Sequence, residues 1–325
     1  MRSRRKDEHV EHALNQKQGH NDFDKIKLVH QSLPNFDLSE VSMETNYLNH
    51  DFDLPIYINA MTGGSEKTKE INRKLSRLAR RFNLAMSVGS QHVALDDAQY
   101  EASFRVVREE NPHGFIIGNV NPNASVDDAL RAIEMIGANA LGIHINPAQE
   151  LTMAEGDRTF EHWMDNIKDI VENVGVPVIV KEVGNGLSRE SVKKLMDLGV
   201  QHVDVSGKGG TNFSDIENKR GEQGRYDYLA DWGNSTVDAL IDNQSYVNTV
   251  EVFASGGIRN PLDVIKALAL GAKAVGLSRF FLDLVHEHRE DEFSIFVEDL
   301  KKIMVLVDAQ SIEDLKHIRI IRLSS

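Results

Sequence analysis

The chain has no cysteine among its 325 residues. That absence excludes disulfides, cysteine-ligated zinc, iron–sulfur clusters and a thiol nucleophile. Nothing in it calls for an oxidising compartment, and a cytoplasmic location is the expectation. Basic charge is in deficit: 37 Lys and Arg stand against 50 Asp and Glu, a net charge of −13. A nucleic-acid backbone needs a basic excess, so the balance argues against a nucleic-acid partner. A local basic pocket can still receive a small anion. No apolar run approaches the length of a membrane span. The opening Met1-Arg2-Ser3-Arg4-Arg5-Lys6 has no apolar stretch behind it and does not read as a secretory signal. An early Gly-x-Gly-x-x-Gly is also missing, which disfavours an open doubly wound sheet.

What is present is a rhythm. Residues 1–53 are polar and irregular, with Asn15-Gln16-Lys17-Gln18-Gly19-His20-Asn21-Asp22 as their most polar run. They read as an arm and a pre-barrel segment rather than a separate domain. Over 54–325, short apolar runs alternate with amphipathic segments. The runs are Pro55 to Ile58, Leu84 to Val88, Gly114 to Val120, Ala140 to Ile145, Val176 to Val180, Val200 to Val205, Val250 to Ala254 and Ala274 to Leu277. Most lack in/out alternation, as strands covered on both faces do. Between the first two, Ile71, Leu75, Leu78, Ala79 and Phe82 fall on one helical face. Ser65, Ser125 with Asp128, and Asn260 before Pro261 read as helix starts. A last amphipathic helix carries Phe293, Phe296, Val297, Leu300, Ile303, Met304 and Val307. Eight strand–helix units predict an α/β fold of the TIM (β/α)8 type, one domain with a polar arm and a C-terminal helix.

The chemistry of such barrels sits after the strands. His144-Ile145-Asn146-Pro147-Ala148-Gln149-Glu150 follows the fourth run and offers an imidazole, two amides and a carboxylate. That set can orient a polyanion, hold a metal and move a proton. Ala254-Ser255-Gly256-Gly257-Ile258-Arg259 and Gly276-Leu277-Ser278-Arg279 follow the seventh and eighth runs. Barrels often bind phosphate there, on glycine turns and helix N-termini; two tight turns with surface arginines are the plainer reading. Asn59 to Gly64, Ser87 to Gln91, Gly118-Asn119, Lys181-Glu182 and Ser206 to Asn212 end the other runs. Lys181 at a barrel mouth is costly to bury unpaired and should meet an anionic group. Glu217 and Arg220 read most simply as a solvated pair at a helix start, and His9, His12 and His20 as exposed arm residues.

Together these pieces resemble the type 2 isopentenyl-diphosphate isomerases, the FMN-dependent family. Arg4-Arg5-Lys6 with His9, Ala60-Met61-Thr62-Gly63-Gly64, Ser87 to Gln91, His144 to Glu150, Lys181-Glu182-Val183-Gly184, Gly209-Gly210-Thr211-Asn212 and Gly256 to Arg259 carry the likeness nearly end to end. Phe213 departs from the tryptophan some members carry there. The resemblance implies interconversion of isopentenyl and dimethylallyl diphosphate, with reduced FMN, Mg²⁺ on the diphosphate, and a pyridine nucleotide such as NADPH to reduce the flavin. It implies proton handling by Gln149 and His144, with Glu150 on the metal. Arg5, Lys6, His9, Ser90, Gln91, Asn146 and Gln149 would bind the substrate. Ala60, Met61, Thr62, Ser90, Asn119, Lys181, Ser206 and Thr211 would frame the flavin ring. Gly257, Ile258, Arg259, Ser278 and Arg279 would take its phosphate. Barrels of this kind commonly assemble symmetrically, and a homo-oligomer, a tetramer or octamer, is expected. An FMN oxidoreductase of the hydroxy-acid oxidase or dihydroorotate dehydrogenase type is the competing class, and a non-catalytic flavin scaffold a third.

Overall fold

A computed structural model describes residues 21–212, 216–218 and 224–323. Its centre is a closed barrel of eight parallel strands in sequential order. They are β4 (Ile56–Ile58), β5 (Ala85–Ser87), β6 (Ile116–Val120), β7 (Ala140–His144), β8 (Val178–Lys181), β9 (His202–Asp204), β10 (Glu251–Ser255) and β11 (Val275–Leu277). Each falls on one of the eight apolar runs. Val275 of β11 pairs with Ile56 of β4 and closes the ring. Nearly every strand residue is buried, because helices cover the outside and side chains fill the inside.

The local signals hold at the helix starts. Ser125 Oγ accepts from the N–H of Asp128 at 3.1 Å, and Asp128 returns the bond to the N–H of Ser125 at 3.2 Å. Ser65 caps the helix Glu66–Phe82 through the N–H of Thr68, and Asn260 caps Pro261–Ala269 through the N–H of Asp263. Each such cap contributes about 1 kcal/mol. On Glu66–Phe82, Leu75, Leu78 and Ala79 are buried, as their spacing requires. The C-terminal helix Glu292–Leu306 buries Phe293, Phe296, Leu300 and Met304.

The pre-barrel segment does more than lead in. β1 (Ile26–Leu28) pairs antiparallel with β12 (Ile320–Arg322), tying the two ends of the described chain together. β2 (Thr45–Tyr47) and β3 (His50–Phe52) form a hairpin against the end of the barrel where the strands begin. Its turn places Leu48 and Asn49 at positive φ, a strained choice for Leu48. Tyr47 stacks on Phe52 at 4.1 Å and meets Phe253 of β10 edge-on at 5.7 Å. The hairpin thus stoppers the end opposite the strand termini that carry chemistry.

A partly buried imidazole–carboxylate contact fastens that stopper. His202 Nδ1 lies 2.8 Å from Glu251 Oε2, and the same oxygen accepts from the N–H of Leu48 at 3.0 Å. Burial pushes the Glu251 carboxyl up, but His202, the Leu48 N–H and the Lys273 charge outweigh it and leave it below its ordinary value. A carboxyl depressed on folding stabilises fully above its unfolded pKa, about 4.3, and loses that contribution as pH falls through the folded value. Glu251→Gln should therefore flatten the loss of stability below about pH 4, read from urea midpoints across that range. An unchanged acid limb would refute the assignment.

Candidate functional site at the barrel mouth

The strands end on one side, and the polar residues singled out in sequence gather there. His144 ends β7, and its Nδ1 lies 2.9 Å from Asn119 Oδ1 of β6. Asn119 in turn donates to the Val88 carbonyl at 3.1 Å. Gln149 and Glu150 lie on a short helix, Pro147–Thr152, rather than in a loop; Pro147 occupies its first turn. Asn146 Nδ2 donates to Gln149 Oε1 at 3.2 Å and to Glu150 Oε1 at 3.0 Å. Gln149 Nε2 donates to Glu217 Oε1 at 3.2 Å. The amide of Gln149 is thus oriented from both ends.

Glu217 corrects the sequence reading. It is 3% exposed and faces Gln149, so it is not a solvated surface acid. Arg220, its expected partner, lies outside the described residues, as do Arg5, Lys6, His9 and Phe213. A helix-start acid inside a Gly-rich connection gives no local sign of burial. Only the return of that connection over the mouth makes it an inner residue.

Several residues serve the wall rather than the space in front of it. Gln91 is 0% exposed; its Nε2 donates to the Ala132 carbonyl at 2.9 Å, and its Oε1 accepts the Asn119 N–H at 2.9 Å. Its side chain is spent on backbone and does not face the mouth as a substrate contact would. The Thr62 hydroxyl bonds Asn72, and Ile258 packs into the core. Ala60, Met61, Ser90, Thr211 and Ser278 are partly exposed at their strand ends, and Ser206 is buried at the end of β9.

Two charges are held deep. Lys181 is 8% exposed at the end of β8, and its ammonium donates to the Glu182 carbonyl at 2.7 Å. Burial lowers its pKa, against the pull of Asp204 and Glu182. Burial also pushes the Glu182 carboxyl up to about 7, although the N–H groups of Asn185, Val183 and Gly186 and the Lys181 charge oppose it.

The two phosphate-type turns are closely built. Gly256 and Gly257 have φ of +92° and +77°. A Cβ on Gly257 would lie 2.8 Å from Asn21 Nδ2 and 2.9 Å from the Gly209 carbonyl carbon. Only glycine lets these loops approach so nearly. Arg259 turns away: its guanidinium bonds Asp24 at 2.6 Å and Asp263 at 2.7 Å. Those carboxylates raise its pKa beyond the ordinary arginine range. Arg279 bonds Asp283 at 2.7 Å. The helix Arg279–His286 starts without a side-chain cap from Ser278, unlike Pro261–Ala269 with Asn260. Gly257→Ala should lower the folding stability by roughly 1–2 kcal/mol before any clash, the cost of a left-handed non-glycine residue. The urea midpoint checks this; an unchanged midpoint would mean that the turn relaxes out of its left-handed conformation.

The fold defines a (β/α)8 barrel, and it is of the flavoprotein class: the sequence pattern of the FMN-dependent dehydrogenase family matches residues 143–322. Isopentenyl-diphosphate delta-isomerases are similar along the whole chain. That of Staphylococcus epidermidis is 49% identical over 99% of this chain and 93% of its own, and that of Staphylococcus haemolyticus 49% over 98% and 92%. The chain belongs to the isopentenyl-diphosphate delta-isomerase family. Among solved structures, a mandelate oxidase aligns with a TM-score of 0.67 at 16% identity, over 99% of this chain and 98% of its own. A flavocytochrome b2 variant aligns with 0.67 at 20%, over 95% and 81%. At such identities these two show the fold alone.

Proposed function

We propose that this protein interconverts isopentenyl diphosphate and dimethylallyl diphosphate. The observation that carries the reading is the oriented set Asn146, Gln149, Glu150 and Glu217 at one wall of a flavin-type mouth. Moving a double bond needs a proton delivered to one carbon and another removed. With Glu150 given to the metal, Glu217 and His144 are the groups there that can carry a proton, and Gln149 holds the geometry between Glu217 and the substrate. Bound reduced FMN supplies an electron-rich ring that stabilises cationic character and a nitrogen that exchanges a proton.

Lys181 would sit against that ring, with Ala60, Met61, Ser90 and Thr211 around it. The glycine turn at Gly257 and the first turn after Ser278 would hold its phosphate through backbone N–H groups. Glu150 is the residue that would hold Mg²⁺, with substrate phosphate oxygens completing the shell. Among the described residues no cluster of three or more metal-binding side chains occurs. NADPH would reduce the flavin, and Arg5, Lys6 and His9 would grip the diphosphate. No helix among the described residues is long and apolar enough to cross a membrane. The reading places the enzyme in the cytoplasm as a homo-oligomer, a tetramer or octamer.

A hydroxy-acid oxidase would want a histidine near β10, and none stands from Val250 to Pro261. The deciding experiment is an anaerobic incubation with isopentenyl diphosphate, FMN, Mg²⁺ and limiting NADPH. Many dimethylallyl diphosphates per NADPH are expected. No isomer with FMN still bound would overturn the proposal.

A further inference from the structure

Asp204 is a buried carboxylate that none of these roles employs. It ends β9 at 1% exposure. Its Oδ2 accepts from the Tyr57 hydroxyl at 2.7 Å and from Asn59 Nδ2 at 3.2 Å. The Ser255 hydroxyl lies 2.8 Å from each oxygen, and the Ser206 N–H donates to Oδ1 at 3.0 Å. These partners are the roots of three different loops at the mouth. Asn59 precedes Ala60-Met61-Thr62, Ser255 precedes the Gly256-Gly257 turn, and Ser206 starts the connection after β9. Ser206 itself is held at φ +38°, a strained value for a non-glycine residue.

Donors alone rarely offset the burial of an ionised carboxylate; a counter-charge is needed. The sheet register puts Lys181 of β8 beside Asp204. Of the two carboxylates that oppose the loss of the Lys181 proton, Asp204 acts more strongly than Glu182. Tyr57 faces Asp204 from β4, and burial together with that carboxylate pushes its phenol well up, so it remains a donor. On the far side of Lys181 the neighbour in register is His144 of β7. Gly276 of β11 makes room for the Tyr57 ring: a Cβ there would lie 2.5 Å from it.

We infer that Asp204 is the positioning residue of the flavin site. It keeps the Lys181 ammonium charged for the cofactor that Lys181 would meet and ties the loops after β4, β9 and β10 into one floor. The inference rests on the reading that Lys181 meets bound FMN.

The test uses the FMN-loaded full chain. The midpoint potential of bound FMN, set against free FMN from pH 7 to 9, gives the ratio of affinities for reduced and oxidised flavin. In Asp204→Asn the fall of that ratio with rising pH begins at lower pH than in the unaltered protein, as Lys181 loses its proton sooner, by about one pKa unit. Ser255→Ala removes a donor but keeps the charge, and its profile overlays that of the unaltered protein. Lys181→Met gives a low, flat ratio throughout. An Asp204→Asn profile that overlays the unaltered one, with Lys181→Met lowered, overturns the inference and leaves the flavin site standing. An unaltered ratio in Lys181→Met overturns the placement of Lys181 itself. If Asp204→Asn does not fold, Asp204→Asn/Lys181→Met decides. Recovery of folded protein on removing both charges supports the coupling of the two groups, and no recovery refutes it.

Discussion

Gln149→Ala and Glu217→Gln each lower kcat for isomerisation by about 10²–10⁴-fold, the range lost with a positioned proton-transfer group. FMN affinity and the thermal midpoint stay close to those of the unaltered protein. The reason is geometric. Gln149 is fixed between Asn146 and Glu217, and neither bond supports the barrel. Glu217→Gln keeps the shape and can still pair with an amide, but it cannot take or give a proton in the working range. KM should move far less than kcat, because the change falls on the reacting atoms rather than on the diphosphate grip. Product formation per enzyme under saturating isopentenyl diphosphate is the measurement. Full turnover in both variants would return Glu217 to a structural role and leave the proton carrier to be found elsewhere.

Phe253→Ala destabilises the fold by roughly 3–5 kcal/mol, the cost of emptying a large aromatic site in a core. Phe253 is 1% exposed inside β10, where three rings converge on it. Tyr47 from the hairpin meets it at 5.7 Å, Tyr57 from β4 at 5.9 Å, and His202 stacks at 6.4 Å. Loss of the ring opens a cavity between barrel and stopper and also loosens His202 against Glu251. The urea midpoint checks it. A loss below about 1 kcal/mol would mean that the hairpin collapses into the gap, as well-adapting sites do. Turnover of the folded fraction should persist, because the stopper lies at the opposite end from the mouth.

Much of this molecule was legible along the chain. The eight apolar runs became the eight barrel strands, because a strand buried on both faces must be apolar at nearly every position. Ser65, Ser125 and Asn260 became caps, because capping is settled within four residues. The mouth loops were legible for the same reason: chemistry after a strand is a rule of order, not of distance. The hairpin stopper was not, since Thr45 to Phe52 carries polar and aromatic residues whose value depends on Phe253, some two hundred positions away.

Strand–helix order, helix starts, glycine turns and family likeness could all be read along the chain. Each of these is a local property of residue type and spacing. Tertiary structure alone decided which polar side chains look inward. Arg259 went to Asp24 and Asp263, and Gln91 to the backbone of a neighbouring unit. Asp204 became the meeting point of four donors, and Glu217 the partner of Gln149. A buried polar group must find its partner wherever the closed barrel brings one, and that partner is set by strand register and loop return rather than by neighbours in the chain.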